Sequence, residues 1–125
     1  MFAGLGAAEL RALARLFRAR LLVPDEMVIR KGERGNAMFL ISSGAVEVVL
    51  ANDGIRLGSG NFFGEMALLS RRPRQADVVA LGYCRVLVLS ATDFRRFLRD
   101  YPAAKVEIDR IADERTRANE EKEAV

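Results

Sequence analysis

The sequence predicts a mainly β fold: a small antiparallel β-roll, comparable to a jelly-roll barrel, with an N-terminal helix, a short central helix and two C-terminal helices. Three observations support this prediction. Short apolar runs recur between residues 24 and 90, turns containing glycine separate these runs, and apolar residues before and after this region follow a helical spacing. Short strands at regular intervals with such turns are typical of small sandwiches and barrels.

An amphipathic helix is predicted at the N-terminus, within residues 1–23. Apolar residues recur at helical spacing over residues 5–20, with charged residues between them, so that one face is apolar. These apolar residues are Leu5, Leu10, Leu13, Leu16 and Phe17. Pro24 ends the pattern, because proline is excluded from a helix interior.

The predicted roll occupies residues 24–90. Its strands are expected at residues 28–31, 38–41, 45–50, 55–57, 75–80 and 85–89, where β-branched and aromatic residues are frequent. Turns containing glycine lie at residues 32–36, 42–44 and 52–54, and another is formed by Gly82 and Tyr83. Successive strands joined by such short turns favour antiparallel hairpins.

Two helices are predicted after the roll, within residues 91–118. Phe94, Phe97, Leu98 and Tyr101 follow a helical spacing behind Thr92 and Asp93, which resemble an N-cap. Pro102 ends this helix, and a second one is expected over about residues 103–117. Residues 119–125 are polar and are expected to fray. At 125 residues, the whole chain is interpreted as one domain, residues 1–125.

Composition excludes several classes of protein. The single cysteine, Cys84, cannot form an internal disulfide, and the chain has no histidine, so no metal site is expected. Cys84 is interpreted as a buried apolar residue of a protein in a reducing cytosol. No apolar run approaches the roughly 18 residues needed to span a bilayer, and the N-terminus lacks a signal-peptide pattern.

Charge and motifs argue against nucleic-acid binding and catalysis. The net charge of +3 is spread over interleaved acidic and basic residues, so no direct contact with nucleic acid is expected. The exposed arginines are interpreted as solvated, with a partner surface as the alternative: Arg71, Arg72, Arg95, Arg96 and Arg99. Without histidine, a GxSxG motif or a paired acid and nucleophile, the chain is not predicted to be an enzyme.

Residues 62–76 contain the groups that could bind a ligand. Gly64 permits a sharp turn, and the next four residues can form one helical turn whose N–H groups attract anions. Arg74 can hold two phosphate oxygens, while Glu65 can accept a hydrogen bond from a ribose hydroxyl. The spacing therefore favours a sugar next to a phosphate. The alternative is that Arg74 pairs with Glu65 or Asp77 and merely holds a loop.

The string FGEMALLSRRPRQA at residues 63–76 resembles the phosphate-binding cassette of the cyclic nucleotide-binding domain family. This family includes regulatory subunits of protein kinase A, catabolite activator proteins and nucleotide-gated channels. The resemblance extends to residues 24–48 and 93–102. It implies cAMP or cGMP as the ligand, without a metal, and it implies these ligand-binding residues: Phe63, Gly64, Glu65, Met66, Ala67, Arg74, Gln75, Ala76 and Arg115. From their residue type alone, Phe62, Phe63, Leu68 and Leu69 are interpreted as core and not as a base-stacking platform.

Two residues depart from the family pattern. Gln75 follows Arg74 where members often carry Ser, Thr or Ala, and Asp77 stands where Thr or Ser is frequent. If Asp77 faced the pocket, its charge would repel a phosphate. The resemblance also implies an arginine over the base, for which Arg115 is the first candidate and Arg110 the second. Affinity and base preference are therefore left open.

The leading functional hypothesis is a cyclic nucleotide sensor in which the occupied cassette moves inward and the helix after Pro102 closes over it. The resemblance implies a cytoplasmic regulatory domain next to the transport domain of a membrane cation channel or cation/proton antiporter, and it leaves open a homo-oligomer. A helix beginning almost at Met1 suggests a piece of a larger protein. The alternatives are the effector domain of a catabolite-activator-type transcription regulator, disfavoured because too little chain follows Asp100 for a helix-turn-helix, and a docking domain that has lost its ligand.

Overall fold

The structure is a computed structural model that describes residues 4–69, 73–110 and 113. Its elements in chain order are α1 (Ala7–Ala14), β1 (Arg18–Leu22), β2 (Met27–Ile29), β3 (Ala37–Ser43), β4 (Ala45–Val49), β5 (Gly54–Gly58), β6 (Phe62–Phe63), α2 (Met66–Leu69), β7 (Asp77–Ala80), β8 (Cys84–Ser90) and α3 (Ala91–Asp100). Residues 102–110 form a further helical segment, α4. None of the described helices combines the length and the apolar character that crossing a membrane would require.

The strands form two four-stranded antiparallel sheets. Sheet A has the order β1-β8-β3-β6, and sheet B has the order β2-β7-β4-β5. The predicted fold class, a mainly β roll with flanking helices, is confirmed. The described strands do not close into a barrel, since each sheet keeps two edge strands.

The first core lies between the two sheets. In β3, Phe39 and Ile41 point inward, and in β8 Val86 does so, while sheet B contributes Val46 and Val78. Alternate residues of a strand point to opposite faces, which explains why these positions are separated by two. This core fixes how the two sheets face each other.

The second core lies on the outer face of sheet A, under the helices. Met38 of β3 and Leu89 of β8 point outward and pack with Phe94 and Phe97 of α3, and Ile108 of α4 joins them. The helix α3 therefore presents its apolar stripe to the sheet and its charged residues to solvent. Pro102 begins α4 directly after the Tyr101 C-cap of α3, in the position where a missing N–H costs little.

The predicted N-terminal helix over residues 5–20 is too long, because α1 ends at Ala14 and residues 18–22 form β1. The residues of β1 pair with β8 from Arg18↔Val88 to Leu22↔Cys84. Pairing satisfies the backbone groups of β8, and this tertiary requirement outweighs the helical spacing of Leu16 and Phe17. Those two side chains still pack against the second core, as an apolar face would.

The remaining elements agree closely with the sequence analysis. The six predicted strand regions correspond to β2, β3, β4, β5, β7 and β8, although residues 75 and 76 precede β7. The short strand β6 was not predicted. The N-cap of α3 is Ser90, whose hydroxyl accepts a hydrogen bond from the Asp93 N–H at 3.1 Å, and not Thr92 or Asp93.

Candidate functional site

Strand β6 positions the start of the cassette, residues 62–76. Phe63 pairs with Phe39 of β3, and the two rings stack with centroids 5.0 Å apart and an interplanar angle of 11°. The chain then turns at Gly64, whose φ of +75° lies in the left-handed region that favours glycine. The cassette therefore leaves the sheet at a fixed point, directly after a buried aromatic residue.

The predicted helical turn is present as α2. The Ala67 N–H donates to the Gly64 carbonyl at 3.1 Å, and the Leu68 N–H donates to the Glu65 carbonyl at 3.0 Å. Leu68 packs against the second core, which holds the turn against the roll. The turn thus carries Glu65 and Met66 along one side of the opening that follows Gly64.

Arg74 returns to the start of the cassette, ten residues after Gly64. Its Nη1 donates to the Gly64 carbonyl at 3.0 Å and its Nη2 donates to the Ala37 carbonyl at 2.7 Å. A Cβ added to Gly64 would lie 2.8 Å from Nη1. Glycine is therefore required at position 64 for two reasons: its backbone conformation, and the close contact of the Arg74 guanidinium with it.

The β2–β3 loop, residues 30–36, anchors the backbone of Arg74. The Arg74 N–H donates to the Glu33 carbonyl and the Gly32 N–H donates to the Arg74 carbonyl, both at 2.8 Å. A Cβ added to Gly35 would lie 2.7 Å from both the Arg74 guanidinium carbon and the Ala67 Cβ. Gly35 thus lets the loop pack directly behind the arginine.

The charge of Arg74 is half-buried. Burial lowers the pKa of its guanidinium below the ordinary value, and the nearby charge of Glu65 acts in the opposite direction. Arginine remains protonated at neutral pH despite such a shift. Its hydrogen bonds go to two carbonyl oxygens, and no carboxylate oxygen within the described part of the chain lies within 4.0 Å of it. The geometry therefore does not support the alternative in which Arg74 is held by an ion pair.

Asp77 points away from this opening. Its Oδ1 accepts a hydrogen bond from the Lys31 N–H at 2.7 Å, which fastens the β2–β3 loop to β7. The side chain therefore has a structural partner on the loop. Asp77 is not among the residues that line the recess described next.

A recess of about 140 Å³ opens between the cassette and sheet B. Eight of the nine predicted site residues line it: Phe63, Gly64, Glu65, Met66, Ala67, Arg74, Gln75 and Ala76. Arg115 and the side chain of Leu69 lie outside the described part of the chain, as do Arg71 and Arg72. Arg110 is described, pairs with Glu107 and does not line the recess.

A sequence profile of the cyclic nucleotide-binding domain family matches residues 19–101. The chain belongs to this family. The match runs from β1 through the cassette to the C-cap of α3, so it covers both sheets and every described residue of the recess.

Several channel proteins are similar to this cyclic nucleotide-binding domain. A putative potassium channel protein of Rhodopseudomonas palustris is 37% identical over 123 residues, which cover 95% of this chain and 30% of the relative. A cyclic nucleotide-gated potassium channel of Rhizobium etli is 40% identical over 115 residues, with 92% and 32% covered. The potassium/sodium hyperpolarization-activated cyclic nucleotide-gated channel 2 of Mus musculus is 32% identical over 116 residues, with 92% and 13% covered. The chain spans about a third or less of the length of these relatives.

Sequence reasoning missed the apolar floor of the recess and the loop behind it. The floor consists of Ile29, Val48 and Val78, and Pro73 lies at its edge. The alternation of strand residues could have placed the three β-branched side chains on the inner face of sheet B, but not next to the cassette. Gly35 was recognised only as part of a turn, since nothing in its local sequence indicates that Arg74 packs on it.

Cys84 is fully buried, as predicted, and its Sγ donates to the Ala45 carbonyl at 3.0 Å. Phe63 is also buried, and Phe62 packs against the second core, which confirms the interpretation of both as core residues. In the described ranges, no three His, Cys, Asp or Glu side chains are close enough to hold a metal ion.

Proposed function

We propose that this domain binds a cyclic nucleotide, with cAMP as the first candidate, in the recess beside Arg74. The main support for the proposal is the half-buried guanidinium of Arg74. Arg74 lines the recess, and its hydrogen bonds go to neutral carbonyl oxygens. Arginine has five N–H donors, so two such bonds leave donor capacity for an anion. A cyclic phosphate would supply the opposite charge and the acceptor oxygens.

The other residues of the recess supply complementary contacts in this proposal. The Glu65 carboxylate accepts a hydrogen bond from the ribose hydroxyl, and Gly64 allows the backbone to approach the sugar and phosphate. Phe63, Met66, Ala67, Gln75 and Ala76 complete the contact surface. Arg115 or Arg110 would reach the base when the C-terminal helix closes.

The proposed role is regulatory, in the cytoplasmic part of a cation channel. The similar potassium and potassium/sodium channels support this context, and three of them match more than nine-tenths of the chain. The partner is then the transport domain of the same protein, which can assemble as a homo-oligomer. Residues 1–125 act as one domain by binding and not by catalysis, and nucleotide shifts an equilibrium between an open and a closed arrangement of the cassette and the C-terminal helix.

Calorimetric titration with cAMP and cGMP tests the proposal. Arg74→Ala should weaken cAMP binding about thirtyfold or more, because loss of one partner of a buried charged pair costs roughly 2–5 kcal/mol. Arg74→Lys keeps the positive charge but not the planar guanidinium group. Its affinity for cAMP should therefore lie between those of wild type and Arg74→Ala. The control is Arg85→Ala, which removes an exposed arginine of β8 that does not line the recess.

The outcomes separate the hypotheses. If neither nucleotide binds the folded wild-type domain, it is a docking domain without a ligand. If cAMP binds Arg74→Ala as tightly as wild type, with native circular dichroism for both, Arg74 is not the phosphate ligand. Titration of Arg115→Ala and Arg110→Ala with both nucleotides identifies which arginine contacts the base, since only that variant should lose affinity.

A further inference from the structure

A second recess lies behind the cassette, between the β2–β3 loop and the start of α3. Its volume is about 460 Å³, and its lining residues are Arg34, Gly35, Asn36, Ala67, Ala91, Thr92 and Arg95. It shares only Ala67 with the recess at Arg74. The loop and the helix are tied together here, because the Ala91 N–H donates to the Asn36 carbonyl at 2.7 Å. This hydrogen bond therefore fixes the position of the β2–β3 loop relative to α3.

A third recess adjoins the second one along α3. Thr92 and Arg95 line both, and the third recess, of about 480 Å³, is completed by Leu98, Arg99 and Lys105. Among the residues that the structure describes, four around the combined opening are basic and none that lines either recess is acidic. The described charged residues around this combined opening, here called the basic groove, are therefore all positive.

Three arginines of the basic groove have no acidic partner among the described residues. Along α3, Arg96 pairs with Asp93 at 4.0 Å, and Lys105 of α4 pairs with Asp109 at 2.9 Å. By contrast, no carboxylate in the residues that the structure describes lies within 4.0 Å of Arg34, Arg95 or Arg99. Arg95 and Arg99 are also four residues apart on one helix, an arrangement in which like charges destabilise the helix.

We propose that the basic groove binds a ligand that carries two or more phosphate groups, at a site separate from the cyclic nucleotide recess. One guanidinium group can bind two phosphate oxygens at once. Three guanidinium groups along one groove therefore match a series of linked phosphates better than a single anion. Thr92 and Asn36 also line the groove, and both residue types carry side-chain hydrogen-bonding groups. A bound polyphosphate would also remove the repulsion between the arginines.

Calorimetric titration with inorganic tripolyphosphate at constant ionic strength tests this proposal. Arg95→Gln should weaken binding at least about tenfold, since Arg95 lines both parts of the groove and a charge-assisted contact is commonly worth that much. The matched control is Arg96→Gln, which removes the neighbouring positive charge on the same helix but not from the groove. Both side chains are exposed, so both variants should fold.

Two further experiments show where the phosphates bind and which kind of molecule supplies them. Arg74→Ala should retain tripolyphosphate binding, whereas loss of binding in that folded variant would move the ligand to the nucleotide recess and overturn the proposal. Sedimentation with phosphatidylcholine vesicles that contain bisphosphorylated phosphatidylinositol shows whether a lipid headgroup also serves as ligand. No wild-type binding in either assay, or equal losses in Arg95→Gln and Arg96→Gln, would refute the groove, and neither result depends on cAMP binding.

Discussion

At the scale of single residues, Arg74 makes structural contacts and is also the proposed ligand for a phosphate group. Its two carbonyl contacts join the start of β3 to the turn after β6, at Ala37 and Gly64. Carbonyl dipoles orient the guanidinium without cancelling its formal charge, so a preorganised cation lines the recess before any ligand arrives. Preorganisation of this kind lowers the entropic cost of binding.

Gly64→Ala tests the requirement for glycine next to Arg74. The added Cβ would meet Nη1 at 2.8 Å and would also force alanine into a φ of +75°. We expect a loss of about 1–2 kcal/mol in the free energy of unfolding, from the left-handed backbone, and a loss of about tenfold or more in cAMP affinity. Urea denaturation and calorimetry measure the two effects.

Gly60→Ala is the matched control for this prediction. Gly60 has a φ of +88°, and a Cβ there would meet no atom within 4 Å. Its backbone strain should therefore lower stability by a similar amount without changing the affinity for cAMP. Equal losses of affinity in the two variants would show that general destabilisation, and not displacement of Arg74, weakens binding.

The sequence predicted which cassette residues lie together at the recess, but it did not predict their surroundings. The order of Gly64, Glu65 and Arg74 matched a sugar next to a phosphate, and all three line the recess. The direction of Asp77 depends on its contact with Lys31, 46 residues earlier in the chain. A contact of such long range has no local sequence signal, so a repulsive position for this carboxylate remained open until the fold was known.

At the scale of elements, two substitutions test which residue is the N-cap of α3. Ser90→Ala removes the hydroxyl that accepts from the Asp93 N–H, so the free energy of unfolding should fall by about 1 kcal/mol. Thr92→Ala changes an exposed residue inside the helix, and its effect should stay within about 0.5 kcal/mol. Urea midpoints compare the two variants, and the opposite order would place the N-cap at Thr92.

The local sequence pattern predicted the helices and strands that have their own hydrophobic periodicity or a clear turn signal. It failed for strands that form only because they pair with a strand distant in the sequence. The hairpin of β4 and β5 has a strong turn signal at residues 52–54 and lies as predicted. Strands β1 and β6 are edge strands of sheet A, with five and two residues. Their partners β8 and β3 decide their conformation, and neither partner adjoins them in the sequence.

At the scale of the whole molecule, the cassette lies where the two cores meet. Phe63 belongs to the core between the sheets, whereas its neighbour Phe62 packs against the core under the helices. The turn α2 contacts both β3 and α3. A ligand that draws the cassette inward would therefore change the packing of α3, which is a physical route from the recess to the C-terminal helices.

The pH dependence of stability follows from the residues that the whole chain has and lacks. The hydrogen bonds from the Val23 N–H and from Arg20 lower the pKa of Glu26 below its ordinary 4.5, and a hydrogen bond from Arg110 lowers the pKa of Glu107. A carboxyl group with a lowered pKa in the folded state stabilises the fold above its unfolded pKa, and this stabilisation is lost as pH falls through the folded value. The chain has no histidine, so no imidazole titrates near neutrality.

The urea midpoint should therefore be flat between about pH 6 and 7 and should decline below about pH 4.5. Because both carboxylates remain partly accessible to solvent, the decline is expected to be gradual, and protonation of the other acids adds to it by increasing the net positive charge. Glu26→Gln keeps a side-chain oxygen for the Val23 N–H but cannot titrate, so its midpoint should be lower than that of wild type at pH 7 and should fall less on acidification. A wild-type midpoint that already falls between pH 7 and 6 would contradict this account, since none of the groups with a lowered pKa titrates in that interval.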